Sequence, residues 1–220
     1  MKQIFTFLED ITLHNDRTWF SENRSRYDAA QDHFVKMAEQ TIAGIGLFDP
    51  AVADIPVKST LYRFHRDTRF SPDKSPYKRH FGCYINPKGK KSQHGGYYLH
   101  IQPGNCLVAG GAYCLESPIL KAVRQSIVDN PETFRNIVEE EQFKRLFPVI
   151  GENRLKTIPA GFSRDFPYPQ YLQPKDYSVF TPVPDSLFYE KNWCEEVCSI
   201  FRIMKPFLDF VNDTIDDMIP

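Results

Sequence analysis

Apolar side chains recur at helical spacing in three long stretches, and these stretches predict the main helices of the chain. Residues 3–14 predict a short first helix, and residues 17–48 predict one long amphipathic helix. In the last stretch, apolar residues follow one another in steps of four and three, which places them on one stripe of a helix. The stripe contains Trp193, Val197, Ile200, Met204, Phe207, Val211, Thr214 and Met218. We expect it to pack on the protein's own sheet, with a dimer seam as the alternative.

Between these helical stretches, shorter segments rich in aromatic and β-branched residues predict strands. The predicted strands are residues 61–67, 81–85, 97–102 and 106–113 and a segment near 177–180. Residues 103–105, Pro-Gly-Asn, are a strong turn signal between two of them. Helices are expected at 116–130 and from Pro131 to about Glu140. The sequence therefore predicts a single α+β domain over 1–220, with an antiparallel sheet packed with long N-terminal and C-terminal helices.

The composition is that of an ordinary water-soluble globular protein. With 220 residues, of which 41% are apolar and 25% charged, the chain can bury a full hydrophobic core. No stretch approaches the roughly 18 consecutive apolar residues of a membrane span, and Glu9 and Asp10 interrupt the first apolar run too early for a signal peptide. The five cysteines contain no CxxC pair, which favours reduced thiols. We therefore expect a cytoplasmic protein with no membrane partner.

Charge is segregated along the chain. The segment 58–91, called the basic segment below, contains ten Lys or Arg and two Asp, a net charge of +8. The other residues contain seventeen Lys or Arg and twenty-six Asp or Glu, so the total is only −1. Positive charge concentrated in this way needs an anionic partner or internal carboxylates to offset it. The segment therefore indicates a site or an internal ion-pair network.

The basic segment carries the candidate site residues. Arginine presents a planar fork that matches phosphate or carboxylate oxygens, and aromatic rings offer flat faces for stacking. The predicted ligand-binding residues are Arg63, Arg66, Arg69, Lys74, Tyr77 and Lys78. Their leading interpretation is a pocket for a small phosphorylated or carboxylated ligand. The candidate catalytic residues are Asp67, whose pKa nearby arginines would lower, together with His65 and His100.

Strand alternation suggests how the polar residues could be arranged. If 61–67 is a strand, Arg63, His65 and Asp67 share one face, and Tyr98 and His100 share a face of the strand at 97–102. Adjacent rows of this kind would form a polar, basic and aromatic floor. Two other interpretations stay open: a module that binds single-stranded nucleic acid, or a structural network of arginines and carboxylates without a ligand.

No recognisable cofactor or metal pattern accompanies these residues. Neither a GxGxxG nor a GxxxxGK[ST] phosphate loop occurs, and no GxSxG sequence marks a serine nucleophile. The histidines at 65, 80, 94 and 100 lack the HxH, HxxxH and HExxH spacings of metal sites. We therefore expect no cofactor and no metal, and the sequence leaves the presence of an enzymatic activity and the oligomeric state open.

One run within the basic segment is specific enough to indicate a family. It reads Arg66-Asp67-x-Arg69-Phe70-Ser71-x-Asp73-Lys74-x-Pro76-Tyr77-Lys78. Further matching pieces are Asn15-Asp16-Arg17-x-Trp19-Phe20, Gly82, Tyr97-Tyr98-Leu99, Gly110-Gly111 with Tyr113 and Pro118, and Pro159-x-Gly161-Phe162. In these residues the chain resembles the domain-of-unknown-function 2461 family over nearly its whole length. The resemblance implies a single domain, and it assigns neither an activity nor a catalytic residue.

Overall fold

The computed structural model describes residues 1–219, and Pro220, the last residue of the predicted domain, lies outside the described residues. The helices are α1 (Lys2–Leu13), α2 (Arg17–Glu22), α3 (Arg24–Gly46), α4 (Val57–Thr60), α5 (Ser117–Asp129), α6 (Pro131–Val138), α7 (Glu141–Leu146), α8 (Pro169–Leu172) and α9 (Trp193–Met218). The strands are β1 (Phe81–Ile85), β2 (Gly96–Ile101), β3 (Leu107–Ala112) and β4 (Tyr177–Pro182). In this part of the chain, no helix is long and apolar enough to cross a membrane.

The four strands form one antiparallel sheet in the order β1-β2-β3-β4. The register aligns Tyr84, Tyr98, Ala109 and Phe180 in one row across the sheet. Because side chains alternate between the two faces of a strand, this row lies on one face and its sequence neighbours lie on the other. The predicted fold class is confirmed: the protein is α+β, with an antiparallel sheet packed with long helices near both ends of the chain.

The face opposite this row packs against α3 and α9. Cys83, Leu99 and Val108 form a row on this face, and all three are fully buried. Gly110 follows on the same face, and a Cβ atom added there would lie 2.3 Å from Met204 Sδ of α9. The absence of a side chain therefore lets the C-terminal helix lie directly on β3.

The stripe on α9 packs on the protein's own sheet and helices, as expected. The buried side chains of α9 include Trp193, Val197, Met204, Phe207 and Val211 from the predicted stripe, with Phe201 and Ile215 beside them. Ile200 and Thr214 are half-buried, and Met218 at the end of the helix is exposed. The periodic apolar residues of α9 therefore pack into the core of this chain.

The single long helix expected at 17–48 is wrong, because the helix is interrupted at Asn23 between α2 and α3. Asn23 donates from Nδ2 to the Trp19 carbonyl oxygen at 2.9 Å, and such side-chain bonds to the backbone compete with helix continuation. The Asp16 side chain caps α2 by accepting from the Trp19 N–H at 2.9 Å. The break turns Phe20 toward Tyr77, whose ring it stacks on at a centroid distance of 4.0 Å.

The strand expected at 61–67 is also wrong. Only two isolated bridges occur there, Leu61 with Cys83 and His65 with Tyr77. The segment folds back on residues 76–78 instead, because the Lys78 N–H donates to the Phe64 carbonyl oxygen at 2.9 Å. The buried Phe64 ring anchors this turn in the core. Arg63, His65 and Asp67 therefore do not form a row on the sheet.

Candidate functional site

The face of the sheet that the long helices leave free carries the main cavity of the described residues, with a volume of about 620 Å³. The aligned row of Tyr84, Tyr98, Ala109 and Phe180 forms part of its floor. Loop residues complete the lining, which comprises Tyr62, Lys78, His80, Lys90, Ser92, Leu107, Gly110, Gly111, Tyr113, Cys114, Glu152, Ser178 and Val179 in addition to the row. The volume suits a small organic molecule.

Two lysines meet at one aromatic ring in this cavity. The Lys78 and Lys90 Nζ atoms lie 5.1 Å and 5.4 Å from the centroid of the Tyr62 ring, within the range of a cation–π contact. Lys90 also donates to the Leu61 carbonyl oxygen. Among the described residues, no carboxylate forms a salt bridge with either lysine. The pair is therefore held in place by neutral groups and keeps its positive charge uncompensated.

Burial acts on both ammonium groups, and like charge acts on Lys78 as well. Burial lowers the pKa of Lys78, and the charges of Arg63 and Lys90 lower it further. Burial also lowers the pKa of Lys90. Both shifts have the direction expected when a positive charge loses water and gains no anion. A bound anion would oppose both shifts.

A hydrogen-bonded chain runs along β2 beside these lysines. The Tyr98 hydroxyl lies 2.9 Å from His100 Nδ1, and His100 Nε2 lies 3.2 Å from Gln102 Oε1. Because the amide oxygen only accepts, Nε2 carries the proton and Nδ1 accepts from Tyr98. The His80 ring lies 4.3 Å from the His100 ring, and burial, with His100 and Lys78 nearby, lowers its pKa to about 3. The two imidazoles are therefore neutral at pH 7.

Three of the predicted ligand-binding residues engage partners within the basic segment itself. Arg66 donates to Asp73 Oδ2 and Ser75 Oγ, each at 2.5 Å, and to Ser71 Oγ at 3.2 Å. Arg69 pairs with Asp67 at 2.6 Å, and Lys74 donates to the Thr68 carbonyl oxygen at 3.0 Å. The bonds from Arg69 hold the pKa of the Asp67 carboxyl well below its usual range. These contacts shape the turn between Arg66 and Lys78.

The other predicted residues are distributed between core, surface and cavity. Tyr77 is buried against Phe20, and its backbone N–H donates to Asn15 Oδ1 at 3.0 Å. Arg63 and His65 are exposed, and the His65 ring lies 5.0 Å from the Tyr77 ring. Lys78 is the member of the predicted ligand-binding set that lines the cavity. The assignment of ligand-binding and catalytic roles to these positions stays a prediction.

Sequence reasoning missed Lys90, which belongs to the basic segment but is not among the predicted ligand-binding residues. Its ammonium reaches the cavity because the stretch after β1 folds back toward Tyr62. No spacing links Lys90 to Lys78 in the sequence. Strand alternation could have indicated the tyrosine floor of the cavity, because it places Tyr84 and Tyr98 on the same face of the sheet.

The structural role of Arg66 predicts a measurable loss of stability. Arg66→Ala should lower the free energy of unfolding by about 1–2 kcal/mol, because it removes the hydrogen bonds that the half-buried guanidinium donates to Asp73 Oδ2 and to the Ser71 and Ser75 hydroxyls. Arg69→Ala is the matched control: its side chain is 77% exposed, so solvent screens its ion pair and its loss should be clearly smaller than that of Arg66→Ala. Urea denaturation measures both, and equal losses would contradict the assigned role of Arg66.

The fold and the site together define a class of protein: an α+β protein in which an antiparallel meander carries a cationic, tyrosine-lined cavity on the face opposite its long helices. The model of the conserved hypothetical protein family DUF2461 matches residues 3–210. The chain therefore belongs to this family, as the run from Arg66 to Lys78 predicted. No curated protein and no solved structure matches the chain.

Proposed function

We propose that the cavity binds a small anionic ligand, phosphorylated or carboxylated, through Lys78 and Lys90. The observation that carries the proposal is the pair of ammonium groups beside the Tyr62 ring, which have no carboxylate partner among the described residues. Hydrogen bonds between ammonium groups and phosphate or carboxylate oxygens are about twice as strong as neutral ones. An anion placed between the two lysines would accept hydrogen bonds from both ammonium groups and neutralise their charge.

The rest of the lining favours a ligand with an apolar or aromatic body. Tyr84, Tyr98 and Phe180 present aromatic groups to the cavity, and Leu107 and Ala109 are apolar. Such surfaces bind an organic group by burying it, while a few polar groups orient the ligand. The proposed ligand is therefore an organic phosphate or carboxylate, and free inorganic phosphate should bind more weakly.

In this proposal, the basic segment divides into two roles. Arg66, Arg69 and Lys74 bind partners inside the segment and thereby set the path of the chain that leads to Lys78. Arg63 is exposed, and its charge lowers the pKa of Lys78. It therefore adds positive potential around the site and steers anions toward it. Lys78 and Lys90 make the direct contacts.

A ligand panel tests the proposal. Phenyl phosphate, benzoate and inorganic phosphate are titrated while thermal unfolding is followed, and a ligand at 100 times its Kd should stabilise the protein by about 2.7 kcal/mol. Lys78→Ala and Lys90→Ala should each weaken binding about tenfold or more, because each removes a charge-assisted hydrogen bond. Lys91→Ala is the matched control, since Lys91 is exposed and outside the cavity lining. Absence of stabilisation by every anion, or an equal loss in Lys91→Ala, would refute the proposal.

Binding of single-stranded nucleic acid is the second candidate, and one observation favours it. Phe70 is 94% exposed at the tip of the basic segment, and the Arg69 guanidinium lies 5.8 Å from its ring centroid. Exposed aromatic rings beside cations are used to stack bases. Titration of a labelled oligothymidine at increasing salt distinguishes the candidates, because several phosphate contacts make affinity fall steeply with salt. A flat salt response would exclude this candidate.

The cysteines agree with a reducing compartment, and we keep the cytoplasm as the proposed location. All five cysteines are free, and burial raises the pKa of Cys83 and of Cys106 to about 12. The Cys194 and Cys198 sulfur atoms are 4.0 Å apart, about twice the length of a disulfide bond. The buried thiols of Cys83, Cys106 and Cys198 thus act as small packing groups.

A further inference from the structure

Three side chains, two from the loop before β2 and one from α9, form a continuous hydrogen-bonded line at the cavity. Ser92 Oγ lies 2.7 Å from His94 Nδ1, and His94 Nε2 lies 2.9 Å from Asp216 Oδ1. Ser92 belongs to the cavity lining, whereas the His94 side chain is only 7% exposed. Asp216 reaches the pair from the last turn of α9. A hydroxyl, an imidazole and a carboxylate are thus aligned, with the hydroxyl at the cavity.

The carboxylate determines where the protons lie in this line. An ionised carboxylate only accepts, so His94 Nε2 carries the proton and donates it to Asp216. The lone pair of Nδ1 then faces the Ser92 hydroxyl, which donates to it. The hydrogen bond from His94, together with Lys88 at 3.4 Å, holds the pKa of Asp216 below its usual range. Either ring nitrogen can accept a proton, so Nδ1 is a competent base.

The backbone at His94 and Gly95 is held by hydrogen bonds from two other segments. The His94 carbonyl oxygen accepts from Asn86 Nδ2 at 2.8 Å and from the Tyr84 hydroxyl at 3.1 Å. The next residue, Gly95, exchanges two hydrogen bonds with the Asn212 side chain of α9, at 2.7 Å and 3.1 Å. Asn212 and Asp216 are four residues apart and so share a helix face. The same helix face that fixes the loop therefore also presents the carboxylate.

A simple turn explains only part of this arrangement. The His94 backbone N–H donates to Ser92 Oγ at 3.1 Å, which is the hydrogen bond of an ordinary serine turn. Such a turn requires neither an imidazole within reach of the hydroxyl nor a carboxylate 122 residues away on the far ring nitrogen. Nucleophilic serine sites are recognised by the roles of the three groups, not by sequence order. Here the ring nitrogens are exchanged relative to the common serine triad, since Nδ1 faces the serine and Nε2 faces the carboxylate. The missing GxSxG sequence is thus no argument against such a site.

We propose that Ser92 is a nucleophile that attacks the carbonyl carbon of a small carboxylic ester bound in the cavity. His94 Nδ1 takes the hydroxyl proton as the Ser92 oxygen bonds to the carbonyl carbon, and the same proton passes to the alcohol as its bond to that carbon breaks. Water then attacks the acyl carbon and gives a proton to His94 Nδ1. His94 returns this proton to the Ser92 oxygen as the bond between that oxygen and the acyl carbon breaks, which releases the carboxylic acid and restores Ser92. Asp216 positions the imidazole and stabilises its protonated form.

The substrate class follows from the lining. Leu107, Ala109 and Phe180 offer apolar surface to the acyl part of an ester, and the cavity volume of about 620 Å³ is that of a site for a small organic molecule. The inference goes beyond anion binding and does not depend on it, because the serine, the imidazole and the carboxylate make their contacts without Lys78 or Lys90.

Covalent labelling of the intact chain tests the nucleophile. A fluorophosphonate probe should phosphonylate Ser92, identified by mass spectrometry of the digested protein, and p-nitrophenyl acetate should be hydrolysed. Ser92→Ala should abolish both, and His94→Gln should slow labelling about 100-fold or more. Ser178→Ala is the matched control, because its hydroxyl also lines the cavity but donates to Asp176; its labelling should be unchanged. Thermal unfolding verifies that each variant is folded.

The proposal fails if the folded protein leaves Ser92 unmodified under conditions that label a known serine hydrolase completely. It also fails if Ser92→Ala hydrolyses the ester at the full rate.

A second set of variants tests the positioning role of Asp216. Asp216→Asn should slow labelling of Ser92 at least tenfold, and Asp216→Glu should recover most of the labelling rate. Asp217→Asn is the control and should have no effect, because Asp217 is exposed. Unchanged labelling in Asp216→Asn would remove Asp216 from the mechanism.

A separate measurement distinguishes this proposal from the anion site. Ser92→Ala should lose labelling and ester hydrolysis but retain the stabilisation by phenyl phosphate, because the Lys78 and Lys90 ammonium groups contact Tyr62 and the Leu61 carbonyl oxygen and not Ser92. Loss of this stabilisation in folded Ser92→Ala would contradict the independence of the two sites.

Discussion

Gly111→Ala is expected to lower the free energy of unfolding by about 4 kcal/mol. Gly111 has a φ of +115°, a conformation that strains any residue with a side chain by about 1–3 kcal/mol. A Cβ atom there would lie 2.2 Å from the Tyr177 carbonyl oxygen and 2.6 Å from Ser178 Cα. Both contacts are with the backbone of β4, which cannot rotate away, so β3 and β4 would have to separate at a further cost of about 1–3 kcal/mol.

Gly104→Ala is the control for this prediction. Gly104 also has a positive φ, +70°, but no atom lies within 4 Å of an added Cβ. The substitution should therefore cost only the conformational strain, about 1 kcal/mol. Urea denaturation of both variants separates the free-energy cost of backbone strain from the cost of the steric overlap of the added Cβ atom. If the two losses in unfolding free energy are equal, the close approach of the backbones at Gly111 adds nothing to the cost of the substitution, and the prediction is wrong. Because Gly111 lines the cavity, its variant should also disturb ligand binding.

Phe7→Ala is expected to lower the free energy of unfolding by about 3–5 kcal/mol, as large-to-small substitutions of buried aromatic residues do. Phe7 is 1% exposed. Its ring centroid lies 5.7 Å from those of Tyr27 and Phe64 and 6.4 Å from that of Phe81. One ring thus connects α1 with α3, β1 and the basic segment, and its removal leaves a cavity among four elements.

The same substitution at Phe70 provides the matched control. Phe70 is almost fully exposed at the tip of the basic segment, so Phe70→Ala should change stability by less than about 0.5 kcal/mol. Urea denaturation measures both variants. A large loss in Phe70→Ala would show that this ring packs against the protein, and a loss below about 1 kcal/mol in Phe7→Ala would contradict the assignment of the aromatic core.

The aromatic core explains how a segment with a net charge of +8 is held in the fold. Phe64 and Tyr77 from this segment are buried in the core, and the Lys78 N–H donates to the Phe64 carbonyl oxygen. The turn between them is closed by Arg66 and its partners. The structural interpretation and the binding interpretation therefore apply to different residues of the same segment. Its arginine network maintains the turn, and Lys78 faces the cavity.

Local sequence patterns predicted most of the regular elements. The expected bounds of the first helix, 3–14, the strand 81–85 and the two helices starting near 116 and 131 agree with α1, β1, α5 and α6 to within about two residues. The helix break at Asn23 was missed because a side-chain bond to the preceding turn decides it. The strand at 61–67 was predicted from loose alternation, yet buried Phe64 turns the chain back on itself.

The sequence by itself determined the fold class, the family and the concentration of positive charge, because periodicity, a contiguous run of residues and composition are local properties. Only the tertiary structure decided which groups meet. Lys78 and Lys90 converge on Tyr62 through turns of irregular chain, and Asp216 reaches His94 because α9 packs across the sheet. Such contacts depend on register and on the packing of elements far apart in sequence, and no local spacing encodes them.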